Sequence, residues 1–87
     1  MPRISDRTRH RIAEMVLGLL LDKYPVPLTT REVADELVRD KEFVKSILEM
    51  LRGQGLVRIY GKKTGGAYVR WLKWQLTDEA KKRLEAS

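Results

Sequence analysis

Between Leu28 and Val57 the apolar residues recur at helical spacing in two short blocks, with polar residues between them. Val33, Ala34 and Leu37 make the first block. Val44, Ile47, Leu48 and Leu51 make the second, at i, i+3, i+4 and i+7. Thr29 and Glu32 have the T-x-x-E spacing of a capping box, which satisfies backbone amides left without partners at a helix start. Arg39-Asp40-Lys41 interrupts the apolar pattern, and Asp40 can cap the second helix. Gly53 and Gly55 stop it. Residues 29–53 therefore read as two short helices joined by about three polar residues, the signature of a helix-turn-helix.

The flanking segments follow the same logic. Ser5 or Asp6 can cap a first helix that runs to about Lys23, after a basic arm at residues 1–4. Ile12, Val16, Leu19 and Leu20 form one stripe on this helix, and Ala13, Leu17 and Leu21 widen it beyond a single face. That excess reads in two ways: a generous core within one chain, or a face shared with a second copy. Tyr24-Pro25-Val26-Pro27 cannot continue the helix, so an extended connector is expected, with a short edge strand at Val26 to Leu28. Leu56 to Tyr60 and Ala67 to Leu76 read as two strands of a hairpin at 56–76, whose tip Gly61-Lys62-Lys63-Thr64-Gly65-Gly66 is glycine-rich and basic. Alternation places Leu72, Trp74 and Leu76 on one face and Val69, Trp71 and Lys73 on the other. Thr77 caps a last helix over 77–86, acidic at its start and basic later as the helix dipole favours, with Ala80 and Leu84 turned inward.

Composition narrows the possible functions. Eighty-seven residues make one small domain. No cysteine is present, which excludes disulfides, thiolate metal sites and a cysteine nucleophile, and suits a reducing interior. Asparagine is missing too, glutamine occurs only at 54 and 75, and 34% of residues are charged, a profile expected of a heat-adapted host. The apolar run Met15–Leu21 spans seven residues, far short of the roughly 20 that cross a bilayer, and no targeting peptide precedes it. A cytoplasmic protein with no membrane association is expected.

The net charge of +6 and pI near 9.9 favour an anionic partner. Between Met50 and Thr77 stand six basic residues and no acidic one, whereas Thr29 to Glu49 holds four basic and six acidic residues. Positive charge thus flanks the two-helix motif instead of filling it.

This order of elements, with the residues that mark it, resembles a winged-helix DNA-binding domain of the MarR-like and PadR-like pattern. It is similar as well to small stand-alone winged-helix proteins of archaea and their viruses. Ala34 and Leu37 fall where the family has "ELA" and the leucine after it. Val44, Leu48 and Leu51 match buried positions of the recognition helix. Gly55-Leu56-Val57 matches the "GLV" that opens the wing, and Trp74-Gln75-Leu76-Thr77 the "Y-x-L-T" that closes it, with Trp in place of Tyr. The resemblance covers nearly the whole chain. It implies a mainly α fold with a small β-hairpin, in the order helix, short strand, helix, helix, strand, wing, strand, helix. One departure is the start of the recognition helix, Asp40-Lys41-Glu42-Phe43, where the family is rich in Ser, Thr and Arg. No added ligand-binding domain is present, so no small-molecule ligand is expected.

The resemblance and the charge pattern nominate specific residues. Lys41, Glu42, Lys45, Ser46 and Arg52 lie on the outward side of the recognition helix, the element such domains insert in the major groove; the alternative is a solvated helix face. Glu42 and Glu49 would oppose phosphate, although a carboxylate can accept from cytosine N4. Arg58, Lys62, Lys63, Thr64 and Arg70 would carry the wing to the backbone or the minor groove, or else serve only solubility. Arg3, Arg7 and Arg31 are candidate backbone contacts. Ala13, Leu17, Leu21 and Trp71 are candidate dimer contacts, and Trp71 equally could cover the hairpin or stack on a base.

Catalysis finds no constellation. His10 is the only histidine, so neither a metal site nor a His-based dyad is expected, and no cofactor. The tip lacks the G-x-x-x-x-G-K-[ST] spacing of a nucleotide-binding loop. Asp35, Glu36, Asp40 and Glu42 read as solvated surface. The expectation is a non-enzymatic, homodimeric regulator of transcription that binds double-stranded DNA. The competing expectation is a winged helix used as a protein-interaction module, which exposed Phe43, Met50 and Trp71 would favour.

Overall fold

The computed structural model describes residues 6–60 and 73–86. Its elements are α1 (Asp6–Lys23), β1 (Leu28–Thr29), α2 (Thr30–Leu37), α3 (Lys41–Gly53), β2 (Val57–Tyr60), β3 (Lys73–Leu76) and α4 (Asp78–Ala86). The strands form one antiparallel sheet in the order β1-β3-β2, with Leu28 and Ile59 both opposite Trp74. This is the mainly helical α+β arrangement of a winged helix-turn-helix.

Local chemistry accounts for each boundary of the two-helix motif. The Thr29 amide donates to Glu32 Oε1 at 2.9 Å, and the Glu32 amide donates to Thr29 Oγ1 at 3.1 Å, a complete capping box. The Phe43 amide donates to Asp40 Oδ2 at 3.1 Å to start α3. Each helix then ends by a left-handed residue: Val38 (φ 52°) after α2 and Gly55 (φ 76°) after α3. In both, the next amide reaches back across the last turn, from Arg39 to Ala34 O and from Leu56 to Leu51 O, each at 3.0 Å.

The core gathers Ile12, Ala13, Val16 and Leu20 of α1, Val33 and Ala34 of α2, and Val44, Ile47, Leu48 and Leu51 of α3. Trp74 and Leu76 of β3 lie beneath them, fully buried, and the Trp74 indole donates to Thr30 Oγ1 at 2.8 Å. That bond lets a large aromatic ring be buried without stranding its N–H. Thr77 ties the two ends of the hairpin together. Its amide donates to Leu56 O at 3.1 Å and its hydroxyl to Gly55 O at 2.9 Å, while its hydroxyl oxygen accepts from the Ala80 amide to cap α4.

Three expectations need correction. The edge strand begins at Leu28, not Val26, because Pro27 has no amide to pair and Val26 is left in solvent. The buried face of α1 includes Ala13 but only half-buries Leu19, and Met15 remains 44% exposed. On β3 burial does not simply alternate: Gln75, between Trp74 and Leu76 and on the opposite face, is only 7% exposed. A polar residue can be buried there because both ends of its amide are hydrogen-bonded. The expected strand portion at 67–72 lies outside the described residues.

Candidate nucleic-acid interface

The outer surface of α3 follows from its buried one. At roughly 100° per residue, Val44, Ile47, Leu48 and Leu51 occupy one arc, and the opposite arc is solvated. Lys41, Lys45 and Arg52 then share one flank of the helix, while Glu42, Ser46 and Glu49 lie further out along its crown; all six are exposed. The other flank carries Phe43 and Met50, which are half-buried against the core. Arg9 of α1 sits over the Phe43 ring, 6.0 Å from its centroid. The cationic flank therefore faces away from the side where α1 packs.

The polar groups of this surface are only lightly engaged. Ser46 Oγ donates to its own helix at Phe43 O, 2.6 Å, leaving its oxygen able to accept. Arg52 lies 3.9 Å from Glu49 with both side chains in solvent, an ion pair of small energetic value. Glu42 stands in the first turn, where a negative charge complements the helix dipole whatever else it does.

Arg31 is exposed in the first turn of α2, and Arg7 is exposed in the first turn of α1. On the hairpin, Arg58 of β2 is exposed, and its guanidinium donates to Gln75 Oε1 at 3.0 Å. Lys73 of β3 pairs with Thr29 of β1 and Tyr60 of β2 in the sheet. Glu32, nearby at the start of α2, has its carboxyl held below the usual range. The bond from the Thr29 amide is the main cause, followed by the Thr29 hydroxyl, with the Lys73 charge adding to both.

Several candidates fall elsewhere. Lys62, Lys63, Thr64, Arg70, Trp71 and Arg3 lie outside the described residues. Ala13, expected at a dimer contact, is 5% exposed within the core of its own chain, because α1 turns that edge toward α3; Leu17 and Leu21 are half-buried beside it. Phe43 and Met50, expected to be exposed if this were a protein-docking module, pack against the core. Gln75 is the residue that sequence reasoning passed over. Its only signal was its place between Trp74 and Leu76, two core residues of one strand.

Among the described residues no group of three or more His, Asp or Glu could hold a metal ion, and no helix is long and apolar enough to cross a membrane. His10 pairs with Glu14 one turn along α1, at 3.3 Å and in solvent.

No family model matches this chain, and no curated protein does. Solved structures do. A variant of MepR from a multidrug-resistant S. aureus clinical isolate superposes with a TM-score of 0.73 at 25% identity, over 87% of this chain and 53% of its own. A variant of ZitR from Lactococcus lactis in its apo form gives 0.71 at 21% identity, over 92% and 56%. The chain thus spans about half the length of the solved structures it resembles. Both are MarR-family winged-helix proteins, and the fold built here from caps, core and sheet register is a MarR-like winged helix-turn-helix.

Proposed function

We propose that this protein is a sequence-specific regulator of transcription that binds double-stranded DNA as a homodimer and has no enzymatic activity. The observation that supports this best is the solvated cationic flank of α3, Lys41, Lys45 and Arg52, on a fold whose corresponding helix is built to enter the major groove. Ser46 and Glu42 on the adjoining crown supply groups that can meet base edges, Glu42 by accepting from cytosine N4. Arg58 on β2, with Lys62, Lys63, Thr64 and Arg70 along the hairpin, serves the phosphate backbone or the minor groove. Arg3, Arg7 and Arg31 hold flanking phosphates. The outer side of α1, with Leu17 and Leu21, is the contact between copies, and its geometry sets the spacing of two recognition helices. The setting is the cytoplasm.

The protein-module reading keeps less of its apolar support, since Phe43 and Met50 are half-buried against the chain's own core; Trp71, its third apolar residue, lies outside the described residues. Salt dependence separates the two readings. Affinity for a duplex should fall steeply with salt, and replacing Lys41 and Lys45 by Ala should flatten the slope of log K against log salt by roughly 0.9 for each lysine that neutralises a phosphate. The pair Lys62→Ala and Lys63→Ala should act in the same way. A protein that shows no duplex binding at low salt would rule the proposal out.

A further inference from the structure

We propose that Gln75 is a positioning residue that aims the Arg58 guanidinium at DNA without neutralising it; this rests on the DNA-binding reading above. Gln75 is the only buried polar residue among those described, and it lies directly opposite Arg58 in the β2–β3 ladder. Its Nε2 donates to the Pro25 carbonyl, from the connector that precedes β1. A carbonyl can only accept, so this bond decides which way the amide points: the nitrogen faces Pro25 and Oε1 must face Arg58. Arg58 donates to that oxygen at 3.0 Å. No buried side-chain nitrogen or oxygen among the described residues is left without a partner, so the relay is complete.

The chemical choice of partner matters. A carboxylate at position 75 would bind the guanidinium more strongly but cancel its charge, removing it from any electrostatic attraction to phosphate. A neutral amide orients the group and leaves the charge whole. Of the five N–H donors of a guanidinium, the relay uses one, and Arg58 is exposed, so the others remain available to an anion. Fixing a long, rotamer-rich side chain before binding lowers the ordering cost of the complex.

The test is a salt series of duplex binding on the full chain, with thermal melts of every variant. Gln75→Glu should flatten the slope of log K against log salt by roughly 0.9, so that its loss of affinity from about 50 to about 200 mM salt is smaller than the wild type's by roughly 3.5-fold. Gln75→Leu should weaken binding in the wild-type background and have no further effect once Arg58→Ala is present. Two results overturn the proposal: Gln75→Glu with the wild-type slope, or Gln75→Leu weakening binding equally with and without Arg58. Absence of duplex binding by the wild-type protein is a different failure, because it removes the DNA-binding reading itself.

Discussion

Val38 and Gly55 close consecutive helices with the same backbone pattern, yet only one of them is the residue type that the pattern favours. A left-handed conformation crowds Cβ against the following carbonyl, which costs about 1–2 kcal/mol for an ordinary residue and is most awkward for a β-branched one. Val38 also has 87% of its surface in solvent, so no burial offsets the strain. Val38→Gly should therefore stabilise the fold by about 0.5–1 kcal/mol, the relief being partly offset by the greater freedom of glycine in the unfolded chain. Chemical denaturation should show a higher midpoint at unchanged slope; a lower midpoint would mean that Val38 carries a contact the fold needs. Gly55 was legible as a helix stop from its letter alone. Val38 was not, because nothing in its chemistry advertises a left-handed cap.

At the scale of elements, the start of α2 is the best-specified junction in the chain. Thr29 ends β1 in the sheet and caps α2 with its side chain, so the capping box also locks the helix to the strand edge. Glu32 completes the box most strongly as a carboxylate, whose charge strengthens the bond from the Thr29 amide and suits a helix start. Its pKa is lowered in the fold, so it binds protons less readily there than in the unfolded chain. Its contribution to stability is present above the usual Glu pKa and is lost as pH falls through the lowered folded value. Glu32→Gln should thus remove part of the acid sensitivity: the difference in melting temperature from wild type should be largest near neutral pH and shrink in acid. A gap that stays constant across pH would show that the carboxylate form is not what matters. The capping spacing made this junction readable in advance. Its coupling to the sheet was not, because the pairing of Leu28 and Thr29 with β3 joins segments more than forty residues apart.

At the scale of the whole molecule the open question is what meets the outer side of α1. Gly18 lies mid-helix with that side in solvent, and a Cβ placed there would find nothing within 4 Å. Glycine in a helix interior costs about 1 kcal/mol relative to Ala, and nothing among the described residues requires it. Gly18→Lys should raise the stability of the isolated chain by about 0.5–1 kcal/mol, since Lys is a good helix former and would stand between Glu14 and Asp22 at four-residue spacing. In the proposed homodimer the same lysine would intrude on the contact, so light scattering should find a well-folded monomer. A variant that still dimerises would place the contact elsewhere. What residue order by itself determined here is whatever depends on neighbours a few positions away: the helix spans, their caps, the two-helix motif and the uneven spread of charge. Those features follow from backbone hydrogen bonding and from periodicity, which act over one or two turns. Only the tertiary structure decided that Ala13 belongs to the core, that Phe43 and Met50 are half-buried against it, and that Gln75 joins Arg58 to Pro25. Each of these depends on packing between distant segments, where burial and the need to pair every buried polar group override local pattern.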